Sequence, residues 1–271
     1  MLARLLALVP TSCALLYPWY LAAQLDLVED TYASPALPAA FDGLRIVFFS
    51  DVHYGALLKE DRVRALAERV NALQPDLILM GGDYGNDSGE AAAFFRLRPA
   101  FRARVAVLAA LGNHDRTPPE GSLKTLREAM EEDQVIPLVN DVWLLKKDGQ
   151  TLAVAGIDDY YNGHPDLQRV RALARDADFT VFIPHTPDVI PETVAEPFCQ
   201  LLLCGHTHGG QVALFGHSLH PTARTGDRYR SGWYREGGVD ILVTNGVGTT
   251  GYPVRLGARP QIHLITLKTK K

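Results

Sequence analysis

The chain has 271 residues, enough for one large or two small domains with a real core. An apolar content of 47% with 21% charged residues excludes a disordered chain, and a net charge of −4 with no long basic run excludes nonspecific nucleic-acid binding through a basic face. Three cysteines, Cys13, Cys199 and Cys204, lack CxxC spacing, which argues against a cysteine zinc site. Cys199 and Cys204 read as buried free thiols.

No charged residue falls between Arg4 and Asp26, and this run is about as long as a bilayer core requires. Pro10 and Pro18 suit a membrane helix better than a soluble one, and Tyr17, Trp19 and Tyr20 fit an interfacial aromatic belt. Residues 1–25 are therefore expected to form an apolar N-terminal helix that anchors the chain to a membrane. A signal peptide cut near Ala23 and a helix lying on the membrane or on the core are the alternatives. With Arg4 before the run and Asp26, Glu29 and Asp30 after it, the positive-inside rule favours a catalytic domain outside the cytoplasm. Residues 26–43, rich in proline, alanine and glycine from Thr31 on, read as a linker, and residues 44–271 as the catalytic domain.

Residues 44–50 read as a buried strand, 60–73 as a helix with Val63, Leu66, Ala67, Val70 and Leu73 on one side, and 76–80 as a strand. A helix around 88–102 and a strand at 104–110 follow. This rhythm implies right-handed crossovers and a largely parallel sheet at first. Residues 142–157 form two apolar runs around Asp148-Gly149, a hairpin signal. Further strands are expected at 178–183, 200–204, 240–244 and 261–267. The fold class is α/β: two packed mixed β-sheets flanked by helices.

Metal-competent residues stand where the strands end. They are Asp51 and His53, Asp83, Asn113-His114-Asp115, His185, and His206 and His208. Open α/β sheets place ligands at the carboxyl ends of their strands, so these five loops should converge. Leaving His114 and Asp115 aside, two aspartates, four histidines and one asparagine make a mixed nitrogen and oxygen set, suited to manganese, iron, zinc or cobalt rather than calcium. Seven ligands suffice for two divalent ions if one carboxylate bridges. Each block alone has a plainer reading, as a surface Asp-x-His, a turn with a left-handed Asn, or a loop with solvated imidazoles. Their order and shared strand-end context favour one site.

In this order, Asp51-x-His53, Gly82-Asp83, Gly112-Asn113-His114-Asp115, His185 and Gly205-His206-Thr207-His208 resemble the five-block signature of calcineurin-like metallophosphoesterases. His185-Thr186-Pro187-Asp188, Gly209-Gly210-Gln211 and Gly246-Val247-Gly248-Thr249-Thr250 with Pro253-Val254-Arg255 resemble a bacterial branch of YaeI-like and YkuE-like phosphodiesterases. The branch is also similar to a UDP-diacylglucosamine pyrophosphatase of lipid A biosynthesis. The resemblance implies a two-sheet sandwich, one metal on Asp51, His53 and His208, a second on Asn113, His185 and His206, and Asp83 bridging. It implies hydrolysis of a phosphodiester or pyrophosphate bond by a hydroxide shared between the metals. His114 would be the general acid, with Asp115 orienting its ring.

The expected substrate is a phosphorylated lipid or lipid-linked nucleotide at a membrane. A phosphomonoesterase for soluble substrates, or a non-catalytic binding module on the same fold, is the alternative. Arg116, Arg228 and Tyr229 are the candidate substrate contacts. Asp158-Asp159 reads as structural, or as supporting the ligands.

Overall fold

The computed structural model describes residues 16–55, 57–97, 99–118 and 122–270. Two six-stranded sheets pack face to face. The first runs in the order β1 (Asp26–Ser34), β14 (Gln261–Thr269), β2 (Arg45–Phe49), β3 (Leu77–Met80), β4 (Ala106–Ala109), β5 (Val135–Pro137). Here β2 through β5 are parallel, and β14 pairs antiparallel to β2. The second sheet runs β12 (Gly232–Glu236), β13 (Val239–Val243), β9 (Leu201–Cys204), β8 (Phe179–Phe182), β7 (Gln150–Gly156), β6 (Asp141–Lys147). Its four inner strands are parallel, and β12 and β6 run against them.

The alternation of side chains along each strand explains why these strands are apolar throughout. Ile46 and Phe48 of β2 join Leu77, Leu79 and Leu108 against Val154, Val181 and Leu203 of the other sheet. Val47 and Phe49 point the opposite way, with Ile78 and Met80, onto Val63, Leu66 and Val70 of helix α1 (Glu60–Ala72) and Phe94 and Phe95 of α2 (Ser88–Arg96). Helix α3 (Ser122–Glu132) adds Leu126 and Met130 to that layer. On the outer face of the second sheet, Phe182, Leu202 and Val243 meet Val170 of α4 (Leu167–Ala174) and Ile190 of α5 (Ile190–Ala195). Cys199 and Cys204 are free and buried in this layer. The Asp148-Gly149 hairpin joins β6 to β7, with both residues at positive φ.

Two expectations are corrected. Residues 26–34 are not linker: they form β1, paired with β14 along nine residues from Asp26↔Gln261 to Ser34↔Thr269. This edge strand alternates weakly and borrows its register from a partner more than 230 residues away, beyond the reach of local pattern. The helix expected to run to 102 ends at Arg96, because Pro99 disfavours helix just before it. Of the N-terminal segment, residues 1–15 lie outside the described residues. Residues 16–22 are helical, with Leu21 and Ala22 buried and Arg62 donating to the Ala22 carbonyl at 2.9 Å. Among the described residues no helix is long and apolar enough to cross a membrane.

Candidate metal centre

All the strand-end residues meet across the carboxyl edges of both sheets. Asp51 and His53 follow β2, Asp83 follows β3, Asn113 to Asp115 follow β4, His185 follows β8, and His206 and His208 follow β9. Asp51, His53, Asp83, His206 and His208 all take positive φ, between 49° and 69°. Non-glycine residues rarely do so, and such backbone strain gathers at functional sites. The neighbouring glycines make room: a Cβ on Gly112 would strike the Asp83 carboxylate, and one on Gly205 the Asp51 carboxylate.

The donor atoms fall into adjoining sets, each within 4.8 Å: Asp51, His53 and His208; His53, Asp83 and His114; Asp83, His185 and His206. In the first, His53 Nε2 lies 3.0 Å from His208 Nε2, and His208 Nε2 lies 3.5 Å from Asp51 Oδ1. In the last, His206 Nδ1 lies 3.1 Å from Asn113 Oδ1 and 3.3 Å from His185 Nε2. Asp83 Oδ2 stands between them, 3.6 Å from His53 Nε2 and 3.3 Å from His185 Nε2. Buried imidazole nitrogens and carboxylate oxygens aimed into shared space fit two cations with a common carboxylate.

Burial explains the ionisation of these groups. It pushes His53 and His206 down to about 4 and, helped by the Arg255 charge, His208 well below the usual range, so all three are neutral donors at neutral pH. Burial opposes charge on His185 too, but the Asp83 carboxylate overrides it and raises His185 to about 10. Burial likewise works against the Asp83 carboxylate, yet the His185 charge holds it well below the carboxylate range. Burial lifts Asp51 to about 6. His185 would have to release its proton to hold a metal here.

Neighbours fix the rings. His185 Nδ1 lies 2.7 Å from the Gly81 carbonyl, which turns Nε2 to the cluster. Arg255 is wholly buried. It donates to the carbonyls of His208 (2.7 Å), Ala258 (3.2 Å) and Gly248, and its Nη2 lies 3.1 Å from His208 Nδ1. Its supporting role was outside the sequence reading, although Arg255 belongs to a segment already singled out.

His114 stands beside His53 and Asp83, with ring centroids of His114 and His53 4.9 Å apart. Asp115 does not orient it. The Asp115 carboxylate accepts the backbone amides of Asp83 (2.7 Å), Tyr84 (2.9 Å) and Gly112 (2.8 Å), tying the β3 and β4 loops together. Burial, then the Asp83 charge, lifts it to about 7. The Asn86 carbonyl, 3.0 Å from His114 Nδ1, holds the ring instead.

The expected substrate contacts are also relocated. Arg116 is paired through Nε (2.8 Å) and Nη2 with the buried carboxylate of Asp158, which gives Asp158 its structural role. Arg228 and the buried Tyr229 both bond Glu236, at 2.8 and 2.6 Å. Arg224, in the same loop, reaches towards the cluster through a ring stack. Its guanidinium lies 5.0 Å from the Tyr161 ring, which stacks on His206 at 5.1 Å. Its sequence signal was only an arginine within a basic, aromatic loop.

A two-sheet α/β sandwich with a mixed nitrogen and oxygen centre for two metals defines the class: a metal-dependent phosphoester hydrolase. The family model for calcineurin-like phosphoesterases matches residues 44–210, and the chain belongs to that family. It is 31% identical over 251 residues to the metallophosphoesterase YkuE of Bacillus subtilis, covering 90% of this chain and 86% of that one. It is 30% identical over 231 residues to the phosphodiesterase YaeI of Escherichia coli, covering 82% of each, which supports the YaeI/YkuE-like branch. A Danio rerio transmembrane protein with a metallophosphoesterase domain is 28% identical, covering 97% of this chain and 62% of its own.

Proposed function

We propose that the chain hydrolyses a phosphodiester or pyrophosphate bond in a lipid-linked substrate at a membrane surface, using two divalent transition ions. The observation that carries the reaction is the Asp83 carboxylate standing between the two donor sets, 3.6 Å from His53 Nε2 and 3.3 Å from His185 Nε2. Asp51, His53 and His208 would hold one ion, Asn113, His185 and His206 the other. When bound, such ions activate water near neutral pH and neutralise phosphate charge.

The chain's own residues do the rest. His114, its Nδ1 committed to the Asn86 carbonyl, has Nε2 left to deliver a proton to the leaving oxygen. Arg224 offers its charge to a phosphate oxygen at the cluster's margin. The lipid part of the reading is supported by exposed apolar residues: Leu16, Tyr17, Trp19 and Tyr20 in the N-terminal segment, and Phe215 and Leu219 in the hairpin after the His206 and His208 loop. Residues 1–15 would add membrane affinity through their apolar sequence.

The test is product analysis after incubating the manganese-loaded protein with extracted membrane lipids and nucleotide-linked lipids. Release of a phosphorylated head group is expected. Preference for soluble phosphomonoesters over every lipid would favour a phosphomonoesterase instead.

A further inference from the structure

A cavity of about 500 Å³ opens directly beside the metal centre, sharing His208 with it and continuing along Thr207, Val212, Leu219, Tyr252 and Val254. Its size falls within the ~300–1,000 Å³ range of small-molecule sites. We infer that it is a subsite for an alkyl or acyl chain esterified to the phosphate held at the metals. This rests on the phosphoester reading above and adds what is attached to the phosphate.

The chemistry of the wall carries the inference. Four of its polar side chains, those of Thr207, His208, Gln211 and Thr222, are engaged elsewhere. Thr207 Oγ1 donates to the Arg230 carbonyl at 2.7 Å and Thr222 Oγ1 to the His206 carbonyl at 3.3 Å. Gln211 Nε2 donates to the Thr250 carbonyl at 2.8 Å, and its Oε1 accepts the Thr250 amide at 2.9 Å. His208 Nδ1 faces Arg255 and Nε2 faces the donor cluster. These groups therefore present carbon to the cavity, and a sugar or base entering it would exchange water for unmatched contacts. His220, at the mouth, is exposed.

The surroundings fit a chain arriving from an apolar phase. The hairpin of β10 (Ala213–Leu214) and β11 (His217–Ser218) rises from Val212 and closes at Leu219, and its tip residue Phe215 is fully exposed. Tyr252 is 76% exposed across the opening. Arg255, next to Val254, donates its amide to the Pro18 carbonyl at 2.9 Å, which brings the exposed Tyr17, Trp19 and Tyr20 to this side.

The experiment measures dissociation constants of methyl, butyl and octyl phosphonate by calorimetry on the manganese-loaded full chain. Each buried methylene is worth up to about four-fold in affinity, so octyl should bind at least about a hundred-fold more tightly than methyl. Leu219→Asp, at an exposed rim position, and Val254→Trp, which fills the cavity, should each cut that ratio below about ten-fold. A flat series in the unaltered protein, or a ratio that survives both variants, would overturn the subsite. Turnover of 4-nitrophenyl methyl phosphate, followed in parallel, tests the reaction separately: its absence alongside an intact chain-length series would strike the phosphodiesterase reading and leave the cavity's role standing.

Discussion

Replacing Arg255 by methionine tests how far the metal centre depends on a residue that touches no metal. The side chain is wholly buried, and its guanidinium donates to the carbonyls of His208, Gly248 and Ala258 and lies 3.1 Å from His208 Nδ1. Burial pulls its pKa down to about 9, so it remains charged at neutral pH. Methionine fills a similar volume but leaves the Gly248 and Ala258 carbonyls without their donor, while the His208 carbonyl keeps the Gln211 amide at 2.9 Å. At about 1–3 kcal/mol for each unsatisfied buried group, less the relief of no longer burying a charge, the net loss of stability should be about 3 kcal/mol. The freed His208 ring should weaken metal binding by about ten- to a hundred-fold, the usual effect of losing a group that orients a ligand. Urea unfolding in the presence of chelator reads the first effect, and manganese titration of the folded variant reads the second. Arg255→Lys should fall between, because one ammonium cannot reproduce the fork. Stability within about 0.5 kcal/mol of the parent together with unchanged metal affinity would refute the reasoning.

The other substitutions separate roles within the cluster. Asp83→Ala removes the carboxylate that stands between the two donor sets and should lower occupancy at both, as read by elemental analysis; full occupancy would remove the bridging role. His114→Gln should retain metal and slow alkyl diesters by about a hundred- to ten-thousand-fold while slowing nitrophenyl diesters much less, since a nitrophenolate needs little protonation. Equal losses on both esters would argue against proton donation. Arg224→Ala should lower kcat/KM for phosphodiesters by about ten- to a hundred-fold, the worth of one charged hydrogen bond, with metal content intact. An unchanged kcat/KM would remove Arg224 from the substrate's path.

Much of this was legible in the chain because the informative residues are continuous with strong local pattern. The runs that became β2, β3, β4, β8 and β9 are buried on both faces, so they read as unbroken apolar segments, and the ligands stand immediately after them. What local pattern could not carry was pairing at a distance. Strand β1 depends on β14 for its register, and Arg116 is taken by Asp158, a partner 42 residues away. Asp115 adjoins His114 in sequence, yet the sharp turn directs its carboxylate to the amides of Asp83, Tyr84 and Gly112. Arg255 reaches His208 across 47 residues, and nothing in its neighbourhood in the chain announces that contact.

The central claim is that one shared-carboxylate, two-ion centre performs phosphodiester hydrolysis. Its most direct test is to strip the protein of metal, add manganese in steps, and follow turnover of bis(4-nitrophenyl) phosphate. The account predicts negligible turnover in the stripped chain and a rise that saturates near about two equivalents per chain. Full activity at one equivalent, or turnover undiminished in the metal-free protein, would contradict it.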